Sequence, residues 1–105
     1  MYAAGRDVPQ DDVQAVAWYR KAADQGGAVA QSNLGAMYAA GRGVPQDDVQ
    51  AVDWYRKAAD QVNALAQFLL GVMYDNGQGV PQDDVQAYKW FNLAASRFSA
   101  SLEEP

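Results

Sequence analysis

Every 36 residues this chain begins again. The run Met1-Tyr2-Ala3-Ala4-Gly5-Arg6 returns as Met37-Tyr38-Ala39-Ala40-Gly41-Arg42 and, altered, as Met73-Tyr74-Asp75-Asn76-Gly77-Gln78. Residues 1–36 and 37–72 agree at 28 of 36 positions, and residues 73–105 keep 16 of 33 against the middle copy. Units of this length cannot bury an apolar face alone, so they stack on their neighbours. The 105 residues therefore read as one short array and not as two domains.

Within each copy the pattern predicts two helices. Ala28, Ala30, Leu34, Met37 and Tyr38 recur at helical spacings, giving a helix A from about Ala28 to Ala40. Gly41 suits a C-terminal cap, and Gly43-Val44-Pro45 stops the helix and turns the chain. In the first copy Asp7 stands at the position of Gly43, and Asp tolerates a left-handed backbone. Helix B follows, from about Asp48 to Gln61. Asp47 with Gln50 forms an Asp version of the capping box, repeated as Asp11 with Gln14 and Asp83 with Gln86. Ala51, Trp54, Tyr55, Ala58 and Ala59 fall on one face, with Asp53, Arg56, Lys57 and Asp60 outside it. Small alanines beside large rings suit closely stacked helix pairs. The composition agrees: Ala supplies 20 residues, Ile and Thr are absent, and the predicted class is all-α.

The same composition removes most chemistry. Without His or Cys there is no thiolate, no Ser-His relay, no disulfide, and no imidazole or thiolate for zinc, haem or iron-sulfur clusters. A net charge of −5 opposes binding to nucleic acid or anionic lipid. No apolar run reaches the roughly 18 to 20 residues of a bilayer span, and the N-terminus lacks the pattern of a signal peptide. The absence of Cys fits a reducing or an oxidising compartment equally well. The expected chain is soluble and without cofactor or metal.

The string Ala28-x-Ala30-x-x-x-Leu34-Gly35-x-x-Tyr38-x-x-Gly41-x-Gly43-Val44-Pro45-x-Asp47, continuing Ala51-x-x-Trp54-Tyr55-x-x-Ala58-Ala59, closely resembles the Sel1-like repeat, a relative of the tetratricopeptide repeat. The resemblance covers residues 1–98 and divides them into 1–27 (the end of a helix A1, Met1 to Ala4, plus helix B1), 28–63 and 64–98. Residues 99–105 form a tail, or the start of a truncated further helix, because Ala100 and Leu102 take the register of Ala28 and Ala30. The resemblance implies a right-handed α/α superhelical solenoid of antiparallel helix pairs, with the A helices lining a concave face, and a role as a protein-binding scaffold or adaptor. The frame, opening on the end of one A helix and closing at the start of another, reads as a fragment or short product of a longer array; its open ends are expected to leave Trp18, Tyr19, Phe91 and Phe98 partly uncovered and so to favour self-association.

The related tetratricopeptide pattern places ligand-facing positions at Val29, Ser32, Ala36, Ala39 and Ala40 in the second A helix and at Leu65, Phe68, Val72, Asp75 and Asn76 in the third. All five positions differ between the two helices, where otherwise only Asn33 and Leu69 differ. Variation thus gathers on the expected concave face, either as a binding groove or as drift at unconstrained surface positions. Phe68 with Leu65 and Leu69 could anchor a peptide or pack on a neighbouring helix. Trp18, Trp54 and Trp90, with Tyr19, Tyr55 and Phe91, read as core in preference to a platform for bases or sugars. The repeated Asp pairs read as helix caps in preference to metal ligands or an acid-base dyad. Asp75-Asn76-Gly77-Gln78-Gly79 lacks the acidic spacing of a calcium loop. Some cysteine-rich relatives are linked to β-lactams, but no Ser here (Ser32, Ser96, Ser99, Ser101) has a Lys three residues later. A non-enzymatic protein- or peptide-binding scaffold is expected. The alternatives are a catalytic or small-ligand domain, and an architectural spacer within a longer repeat protein.

Overall fold

The computed structural model describes residues 8–103, with side chains over residues 11–99. Five helices follow one another: α1 Val8–Asp24, α2 Ala28–Ala40, α3 Asp48–Asp60, α4 Ala64–Asn76 and α5 Asp84–Glu103. Among the described residues there is no strand, and no helix is long and apolar enough to cross a membrane. Each helix packs on the next, so α2 lies between α1 and α3, and α4 lies between α3 and α5. The result is an all-α repeat solenoid with α2 and α4 as A helices and α1, α3 and α5 as B helices. The expected last turn of A1 and the loop at Asp7 lie outside the described residues.

The helix boundaries come from local chemistry. Gly41 caps α2 at φ 70°, ψ 39°, and its N–H donates to the Met37 carbonyl at 2.8 Å. The Asp47 carboxylate accepts from the Gln50 N–H at 3.1 Å, as Asp83 does from Gln86. The returning half of the capping box is not formed. Instead the Asp47 N–H donates to the Tyr38 carbonyl at 2.9 Å and the Asp83 N–H to Tyr74 at 3.0 Å, so each of these B helices is tied to its own A helix at the cap. In the first copy α1 already begins at Val8, which puts Asp11 in the first turn and not at the cap. Pro9 suits a first turn because the amide it lacks has no partner there.

Adjacent repeats are joined by the same small set of contacts, used twice. The buried Gln31 amide donates to the Ala23 carbonyl at 3.2 Å, and Gln67 does the same to Ala59 at 3.3 Å. Arg20 donates to the Tyr38 hydroxyl at 2.6 Å, and Arg56 to that of Tyr74 at 2.6 Å. Gly43 lies so close to α1 that a Cβ there would sit 2.5 Å from the Asp12 carbonyl oxygen, and Gly79 meets Asp48 in the same way. One contact is not repeated: Arg42 grips the buried Asp12 with both ends of its guanidinium, at 2.9 and 3.3 Å, and Gln78 stands in its place in the next repeat. Leu34 and Leu70 are the largest fully buried side chains. Leu34 clusters with Val16, Ala23 and Met37, and Leu70 with Val52, Tyr55, Met73 and Trp90.

The tryptophans divide. Trp90 is buried and Trp54 half-buried, each against the cluster that holds its own repeat's A-helix Leu and Met. Trp18 is 68% exposed, which corrects its assignment to the core and agrees with the expectation that it is partly uncovered. The C-terminal expectation is corrected too. Ala100 and Leu102 do not open a fourth A helix; α5 runs unbroken to Glu103, where α3 stops at Asp60. The reason lies at one turn position, which Gly26 occupies at φ 96° and Val62 at φ 61°. Phe98 falls there in the third copy, and a bulky side chain resists the left-handed backbone that the turn needs.

Val62 does adopt that backbone, although it is β-branched, and it is about half exposed. Left-handed strain costs roughly 1–2 kcal/mol, against roughly 0.5–1 kcal/mol of extra chain entropy for glycine. Val62→Gly is therefore expected to stabilise the chain by up to about 1 kcal/mol, a rise in Tm of a few degrees by calorimetry. An unchanged or lower Tm would show that the turn carries no strain.

Candidate functional site

The strip expected on the A helices is partly open. On α2, Val29, Ala36 and Ala40 are exposed and Ala39 is half-buried; on α4, Leu65, Phe68, Asp75 and Asn76 are exposed and Val72 is half-buried. Ser32 differs, being 3% exposed with no hydrogen-bond partner for its hydroxyl, so it is a buried position and not an accessible one. Its counterpart Phe68 is 43% exposed and touches Phe91 of α5, with ring centroids 5.6 Å apart. The strip therefore falls into a small apolar α2 half and a larger α4 half, where Leu65 and Phe68 give way to the polar pair Asp75 and Asn76.

Phe68 also belongs to a groove that the A-helix pattern does not contain. Phe68, Phe91, Ala94, Ala95 and Phe98 line an apolar depression of about 380 Å³ between α4 and α5. It forms because Gly71 lets α5 come near: a Cβ on Gly71 would lie 2.7 Å from the Phe91 ring. Gly35 admits Tyr55 in the same way one repeat earlier. Comparing the B helices position by position, as the A helices were compared, would have drawn attention to α5, where Tyr88, Phe91 and Asn92 replace Val52, Tyr55 and Arg56. A second depression, of about 430 Å³, lies along α1 between Val13, Ala17, Lys21 and the loop at Gly43 and is more polar.

Charge does little at either place. Among the described residues no three acidic side chains gather where they could hold a metal. The shifted titration is that of Tyr55. Burial, and secondly the Asp48 carboxylate, push its phenol above the usual value of 10.0. The fold thus disfavours the phenolate, and the stability Tyr55 contributes is complete below about pH 10 and lost as pH rises through its raised value. Urea unfolding followed from about pH 9 to 12 should show this fall. Tyr55→Phe, which copies Phe91 of the next repeat, should flatten it.

A family model for the Sel1 repeat matches residues 1–27, 28–63 and 64–97, nearly the whole chain. The chain belongs to the Sel1 repeat family. Among solved structures, the Sel1 repeat protein from Oxalobacter formigenes is 46% identical with a TM-score of 0.77, over 78% of this chain and 63% of that one. The protein c5321, a protective antigen present in uropathogenic Escherichia coli strains and displaying an SLR fold, is 50% identical with a TM-score of 0.79. That match covers 81% of this chain and 18% of c5321, so this chain spans less than two thirds of either protein. No curated protein sequence matches. Sel1 repeats generally mediate protein–protein interaction and are generally non-catalytic, and between α2 and α4 the strip holds five of the six positions that differ.

Proposed function

We propose that this Sel1 array is a non-catalytic scaffold that binds a protein or peptide partner along the strip formed by α2 and α4. One observation carries the reading. Two helices otherwise alike differ at all five strip positions, and in α4 the differences place exposed Leu65 and Phe68 beside exposed Asp75 and Asn76. An apolar anchor with a polar rim is what a desolvated contact of modest size requires. Asp75 is the strip's sole ionisable group, which favours binding by shape and apolar contact over acid-base chemistry.

The reading is tested by selecting peptides from a random library on the immobilised chain and measuring their affinities by fluorescence anisotropy. Leu65→Ser is the clean variant, since Leu65 is exposed; Phe68→Ser also removes the ring contact with Phe91 and is read beside a melting curve. Each is expected to weaken selected peptides by roughly 1–3 kcal/mol, the usual loss of an interface anchor. Peptides that bind both variants as tightly as the parent would place the binding surface elsewhere.

A further inference from the structure

The face of α5 that continues the stack has changed its chemistry. On α1 and α3 the residues that receive the next repeat are Val16, Tyr19, Arg20 and Ala23, then Val52, Tyr55, Arg56 and Ala59. Val16 and Val52 back onto Gly43 and Gly79, Arg20 and Arg56 bond the next tyrosine, and Ala23 and Ala59 accept from the next glutamine. The counterparts on α5 are Tyr88, Phe91, Asn92 and Ala95. Tyr88 is too large for a loop that would bring a glycine against it, since a Cβ on Gly79 would already stand 3.0 Å from Val52. Asn92 is too short to reach a tyrosine as arginine does. A further repeat of the same kind, or a second copy stacked head to tail, does not fit this face.

What the face offers instead is a seam. Tyr88, Phe91, Ala95 and Phe98 follow spacings of three, four and three, the interval of paired helices. Tyr88 is 69% exposed where Val52 is 3%; Ala95 is exposed where Ala59 is buried, and Phe98 is also exposed. The exposed positions beside the seam, Asn92 and Ser99, are uncharged, and Ala87 and Ala94 on its other side are buried, so a chain of net charge −5 can approach its own copy between Tyr88 and Phe98 without like charges meeting along the seam. The seam is also complementary to itself. Run antiparallel about residue 93, it sets Tyr88 opposite Phe98 and Phe91 opposite Ala95, each large ring meeting either a ring or a small residue, and repeats both pairings across the two-fold axis. The groove lined by Phe68, Phe91 and Ala95 then faces the second copy's Phe91, which this register sets opposite Ala95. We infer that α5 is a homodimerisation helix, pairing isologously and antiparallel with α5 of a second copy through Tyr88, Phe91, Ala95 and Phe98.

Sedimentation velocity on the full chain, from about 1 µM to 500 µM, is expected to pass from monomer to dimer. Ala95→Arg places a charge in the seam at an exposed site, and is expected to raise the dissociation constant at least about 100-fold with an unchanged far-ultraviolet spectrum. Trp18→Ser, at the opposite end of the array, should leave it unchanged. The absence of native cysteine allows the geometry to be read directly. Oxidised Asn92→Cys should cross-link to itself across the axis, whereas in Ser99→Cys the two thiols are about 18 Å apart along the helix and should stay free. A monomer throughout the range, a dimer indifferent to Ala95→Arg, or equal cross-linking at both sites would overturn the inference.

Discussion

Gly43→Ala is expected to lower stability by about 3 kcal/mol or more, a large share of the roughly 5–15 kcal/mol that holds a domain folded. Two costs add at this position. The backbone sits at φ 75°, which charges any L side chain roughly 1–2 kcal/mol. The added methyl would also lie 2.5 Å from the Asp12 carbonyl oxygen and 2.6 Å from its carbon, both of them backbone atoms that cannot swing aside. Gly26→Ala is the matched control, since Gly26 has φ 96° with nothing within 4 Å of a new Cβ, and should show the backbone cost alone. Thermal melts of the two variants separate the terms. Equal shifts would mean that the loop does not press on α1.

The second large effect is expected at the centre of the array. Leu70 is fully buried among Val52, Tyr55, Met73 and Trp90, so Leu70→Ala leaves a cavity bounded by residues from three helices. Truncations of this kind cost about 2–5 kcal/mol, and rigid surroundings put the cost toward the upper end. Leu34→Ala opens a smaller cluster and should cost less, although Leu34 is as deeply buried. Urea unfolding of the pair checks the order. If Leu34→Ala proved the more damaging, the junction of α1 and α2 and not that of α3, α4 and α5 would be the main source of stability.

Much of this architecture could be read before any coordinates. The A helix expected from about Ala28 to Ala40 is α2, and the B helix expected to start at Asp48 is α3, because glycine, proline and aspartate mark both boundaries. Local rules failed where a residue's partner is distant. Nothing near Ser32 in sequence says that it is closed from solvent, and its buried, unpaired hydroxyl contradicts the surface role that its register implied. Trp18 opens the same Trp-Tyr-Arg-Lys-Ala-Ala run as Trp54, yet it is exposed where Trp54 is half-buried against the cluster of Leu34 and Met37 on α2. The extension of α5 was visible in principle at Phe98, since the requirement for a left-handed residue at that point is a backbone property shared with Gly26 and Val62. The groove beside Phe68 was legible only in part: the changed residues of α5 stand out in sequence, but that Phe91 and Phe98 meet Phe68 depends on how α5 packs on α4.

The junction contacts repeat themselves almost atom for atom: glutamine to carbonyl, arginine to tyrosine, glycine against helix, first between α1 and α2 and again between α3 and α4. Any extra copy of residues 28–63 inserted after Asn63 would meet, at both of its ends, surfaces it already matches. A gene encoding such near-identical units can gain or lose one by slippage in steps of 36 codons, and each product would still close its joints. Tyr88 and Asn92 break the series: on α5 the positions that receive the next unit on α1 and α3 carry different side chains.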